Sequence, residues 1–196
     1  MVYERNYEYL VERLSPHIGR EELVTIGRAF EVAQAAHLGQ MRDEGTPYIV
    51  HPLRVAVSLV DELEIYSTKL VCSALLHDVI EDSDTTREQV AEMFGEEIAE
   101  AVWLLTKLEA VSLPAYLRAI EAAPHTGAPV VKLCDRLDNL RFLAYSHKAE
   151  KKRRYIRTTE DYYLPLALRT NRYLYDELNR WLEEARRHVR AMPVEP

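Results

Sequence analysis

Residues 75–86 read LLHDVIEDSDTT. Leu75, Leu76, Val79 and Ile80 recur at the spacing of a buried helix face, yet His77, Asp78, Glu81, Asp82 and Asp84 crowd into the same short run. Carboxylates set this close repel one another and are costly to bury unless a positive group stands among them. On a continuous helix, Glu81, Asp78 and Asp82 would lie at roughly 40°, 100° and 140° from His77, and the four apolar residues at roughly 160–300°. The stretch therefore predicts a helix that packs on one side and presents an imidazole and three carboxylates on the other.

Outward from this stretch the helical period continues. Tyr3, Tyr7, Leu10, Val11 and Leu14 share one face, as do Ile26, Phe30, Ala33 and His37. Strand-like alternation is almost absent, and six glycines allow few tight turns. The pattern predicts an all-α fold of about ten helices, near 2–14, 20–38, 52–62, 67–81, 85–94, 96–106, 113–122, 129–143, 148–164 and 166–190. Thr85 with Glu88 fits a capping box, Pro52 fits the first helical position after His51, and Asp84 reads as a turn or capping residue. The polar segment GQMRDEGTPYIVHP (39–52) stands between two helices, and a loop of that length in a compact helical chain is more often functional than idle.

Composition narrows the function. A chain of 196 residues with 47% hydrophobic residues is expected to form one domain, 1–196, with a sizeable core. No apolar run is long enough to span a bilayer, and the charged start MVYERNYEYL has no signal-peptide core, so a cytoplasmic protein without a membrane partner is expected. Cys72 and Cys134 lie far apart in apolar surroundings and read as reduced core residues. The net charge of −7 argues against a nucleic-acid binder. The basic run KAEKKRR (148–154) reads as a solvated helix face, or in part as a lure for an anionic substrate.

An adjacent His77-Asp78 pair suits a divalent first-row metal ion, which would supply the missing positive charge and keep the aspartate ionised. Two ligands are too few. His51 closes the polar loop and could point inward, although a lone histidine there is more often an ordinary helix-start residue. In PVVKLCDRLDNLRFL (129–143), Lys132, Asp135, Arg136 and Asn139 fall within about 100° of one another, opposite Val130, Leu133, Cys134, Leu137 and Leu140. A polar stripe on an apolar helix suits a pocket wall, although Asp135 beside Arg136 would also serve as an ordinary ion-paired acid.

HPLRVA (51–56), ALLHDVIEDSDTT (74–86), FGEEIAEAVWLLTKL (94–108) and VVKLCDRLDNLRFL (130–143) together resemble, in order and spacing, the HD-domain hydrolases of the RelA/SpoT type. AAHLGQMRDEGTPYIVHP (35–52) is similar to the first motif block of that family, and the likeness runs from about residue 28 to about 167. The resemblance implies an HD-domain helical bundle and a stand-alone small alarmone hydrolase, with no room for synthetase or regulatory domains. It implies a metal, typically Mn2+, on His51, His77, Asp78 and Asp135, and removal of the 3′-diphosphate of ppGpp or pppGpp as pyrophosphate. The family's Glu-Asp pair falls on Glu81 and Asp82. Asp82 is expected to handle the attacking water and Glu81 to position it or stabilise the developing charge.

Arg42 matches the family's nucleotide-loop arginine and Asn139 its pocket asparagine, while Arg157 and Tyr163 fall on its late helix. Lys132 and Arg136 would neutralise phosphate oxygens, Tyr163 could equally be core, and His37 reads as packing. Two residues depart from the pattern: Asp43 stands where many members carry lysine, and Asp138 where histidine is usual. Each is expected to make the pocket more acidic, which points to a nucleotide other than ppGpp. The alternatives are thus an HD-type nucleotide phosphatase of different specificity, or a catalytically silent regulatory domain that binds a nucleotide or a partner protein.

Overall fold

The computed structural model describes residues 6–190. Among them the backbone forms twelve α-helical segments: α1 (Tyr7–Leu14), α2 (Arg20–Ala36), α3 (Val50–Asp61), α4 (Thr68–Leu76), α5 (Val79–Asp82), α6 (Arg87–Phe94), α7 (Glu96–Leu105), α8 (Leu113–Glu121), α9 (Ala128–Arg141), α10 (Ala149–Thr158), α11 (Leu164–Thr170) and α12 (Arg172–Arg190). The all-α expectation holds. No helix among the described residues is long and apolar enough to cross a membrane. The expected first helix reaches back to residue 2, and residues 2–5 lie outside the described residues; Asn6 caps α1 by accepting the Tyr9 N–H.

Three helices form the centre: α3 and α4 are buried along most of their length, and α9 turns the apolar side opposite its polar stripe toward them. Leu53, Val55, Ala56, Val57, Leu59 and Val60 of α3 are buried, as is every residue of α4 from Val71 to Leu76. Val131, Leu133, Cys134, Leu137 and Leu140 of α9 complete this core, in which each large aliphatic side chain contributes about 1.5–3 kcal/mol. Helix α4 packs against α2, α3, α7 and α9, and α12 lies along α9. Cys72 and Cys134 are buried and free.

The helix expected over 67–81 breaks at His77 and Asp78, between α4 and α5. His77 Nδ1 lies 2.7 Å from the Ala74 carbonyl, the acceptor that an uninterrupted helix would offer to the Asp78 N–H. Helix α6 starts one residue later than Thr85 allows: Thr86 is the cap and forms the box with Gln89, while the Thr85 hydroxyl is engaged by Ser83. The helix expected over 166–190 is divided at Asn171, whose extended backbone and side chain start α12 by accepting the Leu174 N–H. Between α10 and α11, residues Thr159–Tyr163 form one π turn. Thr159 Oγ1 donates to the Tyr155 carbonyl at 2.6 Å, and Pro165 has no N–H to continue the α ladder.

Candidate metal centre and its cavity

The loop before α3 is a short hairpin. Arg42 N–H donates to the Thr46 carbonyl and Tyr48 N–H to the Gln40 carbonyl, each at 2.9 Å, and Gly45 takes φ +81° at the bend. This fold sets Tyr48 against the rings of His37 and His51 and delivers His51 into the first turn of α3, where it is buried. Helix α4 brings His77 and Asp78 to the same place from its end, and α9 brings Asp135 from its middle.

Four donor atoms converge there. His51 Nε2 lies 3.1 Å from Asp135 Oδ1 and 3.8 Å from Asp78 Oδ2. His77 Nε2 lies 3.0 Å from Asp78 Oδ2 and 3.9 Å from Asp135 Oδ1. The break after α4 makes this possible, since neighbours on a continuous helix diverge by about 100°. Both imidazoles are turned the same way: His51 Nδ1 meets Asp138 Oδ2 at 2.6 Å and His77 Nδ1 meets the Ala74 carbonyl. His77 Nε2 is buried with no hydrogen bond.

Two imidazole nitrogens and two carboxylate oxygens suit a divalent first-row cation, and their spacings are those of a coordination shell with bonds of about 2.1 Å. Three of these residues, His51, His77 and Asp78, form a group with ligand atoms all within 4.8 Å of one another. The group attracts positive charge: burial opposes protonation of His77, but Asp78 and then Asp135 outweigh it and push it up to about 9. Burial likewise opposes ionisation of Asp78 and Asp135, yet His77 holds the first low, and Lys132 with the histidines holds the second well below the carboxylate range. Lys132 Nζ stands 2.9 Å from Asp135 Oδ2, and Tyr48 donates to Asp78.

Above this group opens a cavity of about 640 Å³. Although the chain is acidic overall, Arg42, Lys107, Lys132, Arg136, Lys151, Arg154 and Arg157 line it, against Asp78, Glu81 and Asp135. Arg136 lies between two rings, its guanidinium carbon 3.8 Å from the Tyr163 centroid and 4.4 Å from that of Tyr155. Asn139 donates to Asp135 Oδ1 at 2.5 Å and accepts from Arg42 at 3.1 Å. Glu81 lines the cavity and accepts the Lys107 backbone N–H at 2.9 Å. Asp82 does not line it; its Oδ2 lies 3.9 Å from His37 Nδ1. Burial raises the pKa of both acids, helped by the nearby charge of Asp78.

The HD-domain family matches residues 29–171, most of the chain and the whole of the site. The chain belongs to the HD-domain family. This HD domain is 36% identical over 185 residues to an Aquifex aeolicus guanosine-3′,5′-bis(diphosphate) 3′-pyrophosphohydrolase, covering 91% of this chain and 26% of that protein. It is 33% identical over 172 residues to the Escherichia coli bifunctional (p)ppGpp synthase/hydrolase SpoT, covering 83% of this chain and 24% of that protein. The chain thus spans about a quarter of the length of these curated relatives. A solved structure described as a metazoan ortholog of SpoT that hydrolyses ppGpp superposes with a TM-score of 0.71 at 26% identity, over 82% of this chain and 94% of that one.

Within the HD domain the two departures take places the sequence did not suggest. Asp138 is buried beneath His51, clamped by Arg54 Nε at 2.7 Å and Nη2 at 3.0 Å, and does not line the cavity. Asp43 pairs with Lys151 at 2.7 Å, which pushes its pKa down to about 2 and cancels its charge outside the cavity. Asp138 does not reach the pocket, and Asp43 offsets only Lys151 among its seven cations, so the rim stays basic and the argument that they drew toward a different nucleotide loses its ground. The basic run divides by helix face: Lys151 and Arg154, with Arg157 one turn on, meet the cavity, whereas Lys152 is buried and donates to the Ala144 carbonyl. Tyr163 is both core, at 2% exposed, and cavity wall. Tyr48 and Arg54 escaped the sequence reading because Asp78 and Asp138 are remote in the chain, and Glu44, paired with Arg42 and Arg54, carried no signal that set it apart from other loop acids.

Proposed function

We propose that this HD domain hydrolyses the ester between the ribose 3′ oxygen and the diphosphate of ppGpp or pppGpp, releasing pyrophosphate and GDP or GTP. The observation that carries the reading is the joining of one four-donor centre to a cavity ringed by seven cationic side chains in a chain of net charge −7. A nucleotide bearing two diphosphates suits such a rim, and the names of the relatives point to the same substrate.

In this reading His51, His77, Asp78 and Asp135 hold a divalent cation, Mn2+ in our assignment. Such an ion makes water a nucleophile near neutral pH and offsets charge on phosphoryl oxygens. Glu81, on the cavity wall with a raised pKa, takes the proton of the attacking water or orients it, and Asp82, its neighbour, shares in handling that water. Lys132 and Arg136 bind the oxygens of the 3′-diphosphate. Arg42 and Asn139 hold the nucleoside side, Arg157 with its neighbours on α10 gathers the remaining phosphates, and Tyr163 fixes Arg136. We place the protein in the cytoplasm, where such nucleotides occur and where its two buried thiols stay reduced, and take the catalytic unit to be a single domain.

The test is incubation of the manganese-loaded protein with ppGpp and a panel of other nucleotides, with the released product identified. Pyrophosphate and GDP from ppGpp are expected. Orthophosphate from a mononucleotide, or a protein that binds Mn2+ and turns over nothing, would replace this reading by the phosphatase or the silent regulator.

A further inference from the structure

We propose that Asp138, clamped by Arg54, is a positioning residue for His51, and that a run of hydrogen bonds, closed only where His51 and Asp135 meet at the proposed cation site, carries this constraint to the loop bearing Arg42. The inference rests on the proposed function only in taking His51 to be a cation ligand.

Asp138 Oδ2 meets His51 Nδ1 at 2.6 Å, and the guanidinium of Arg54 spans both carboxylate oxygens. The guanidinium carbon of Arg54 itself lies over the Phe142 ring, 3.6 Å from its centroid. An ionised carboxylate only accepts, and the 2.6 Å contact of Nδ1 with the clamped Asp138 is shorter than the 3.1 Å contact of Nε2 with Asp135, so the proton of a neutral His51 is assigned to Nδ1 and the Nε2 lone pair is left for a cation between Asp78 and Asp135. The clamp therefore selects the tautomer as well as the orientation of the ring.

The contacts continue beyond the clamp. Arg54 Nη2 donates to Glu44 Oε1 at 2.9 Å, and the same oxygen lies 3.3 Å from Arg42 Nε. Arg42 Nη2 donates to Asn139 Oδ1, Asn139 Nδ2 donates to Asp135 Oδ1, and Asp135 Oδ1 lies 3.1 Å from His51 Nε2. The path has returned to its starting residue. Arg42 touches the ring from both directions, through Glu44 toward His51 and through Asn139 toward Asp135. Whatever draws Arg42 into the cavity must act on two cation ligands at once, and by reciprocity the cation must act on Arg42.

The experiment is titration with Mn2+ alone, followed by electron paramagnetic resonance, together with nitrogen-15 spectra of the histidines. Asp138→Asn is expected to weaken Mn2+ binding about 10–100-fold, and Glu44→Gln, which touches no proposed ligand, about fivefold. The paired change Arg54→Met with Asp138→Leu removes both buried charges together, so folding suffers no unpaired charge; it is expected to match Asp138→Asn. Glu62→Gln, at the far end of α3, should lower the melting temperature and leave Mn2+ affinity unchanged. In the spectra of the parent, His51 should carry its proton on Nδ1, and in the paired variant it should lose that preference. Mn2+ affinity in the paired variant within about twofold of the parent would overturn the proposal, as would a His51 protonated on Nε2 alone in the parent. Should the parent bind no Mn2+, the metal reading fails, and the His51 tautomer in the same spectra still decides the positioning claim.

Discussion

The Tyr48 hydroxyl donates a 2.8 Å hydrogen bond to Asp78 Oδ2, across thirty positions of sequence. Burial, and then the charge of Asp78, raise the tyrosine's pKa, so it remains a donor through the neutral range. Tyr48→Phe keeps the ring against His37 and deletes only the donor. Calorimetric titration is expected to show Mn2+ affinity reduced about 10–100-fold with an unchanged far-ultraviolet spectrum. An unaltered affinity would mean that Asp78 is held in place by its other contacts.

Glu81→Gln and Asp82→Asn separate catalysis from metal binding. Both variants should retain Mn2+, and each should lose about 10²–10⁴-fold in kcat toward ppGpp. Both acids have raised pKa values from burial and the nearby Asp78 charge, and the basic form is the useful one. Turnover in the parent should therefore rise with pH along an acid limb displaced upward from where unperturbed carboxylates would set it. Full turnover by Asp82→Asn would remove that residue from the chemistry and leave Glu81, the one on the cavity wall, to act alone.

What could be read from sequence was what local periodicity encodes. The apolar faces of α2, α4 and α9 are written at spacings of three and four, and the existence of these helices follows from them. The break at His77 and Asp78 was not legible, because it depends on an imidazole capturing the Ala74 carbonyl and not on any glycine or proline. Asp43 and Asp138 misled for a different reason. A carboxylate's effect depends on its partner, and Lys151 and Arg54 lie 108 and 84 positions away. Thr85 and Thr86 both satisfied the capping pattern, and only the competing bond from Ser83 chose between them.

Arg136 tests the cationic rim. Its side chain is buried between Tyr155 and Tyr163, and its Nη1 has no hydrogen-bond partner, a donor left over for an anion. Lysine there keeps the charge but loses the flat stacking and the fork. Arg136→Lys should raise KM for ppGpp about tenfold or more with kcat little changed, as steady-state kinetics over a substrate series will show. A fall in kcat at constant KM would instead place the guanidinium against the transition state.

Acid stability should be governed in part by Glu62, which accepts from Arg141 at 2.7 and 2.6 Å, from Ser58 at 2.9 Å and from Tyr173 at 2.8 Å. Burial alone would raise its pKa, but Arg141 outweighs burial and lowers it. The folded value thus lies below the unfolded one of about 4.3, so the stabilisation is complete above that pH and is lost as pH falls through the folded value. Glu62→Gln should cost about 2 kcal/mol at pH 7, the low end for a pair partly open to solvent. The difference between parent and variant in urea titrations should shrink below about pH 4; a constant difference would count against the ion pair as its source.

The donors of the centre are drawn from α3, from the end of α4 and from α9, so that long stretches of chain separate His51, the adjacent His77 and Asp78, and Asp135. A cation bound to all of them would join those stretches in the folded state alone, stabilising it through the free energy of binding and only while the three helices stay packed. Retention of the ion then becomes a reading of tertiary integrity. A protein with loosened helix packing sheds its metal before its helicity declines, and substitutions deep in the core of α3 or α4 act on the chemistry without touching a single atom of the cavity.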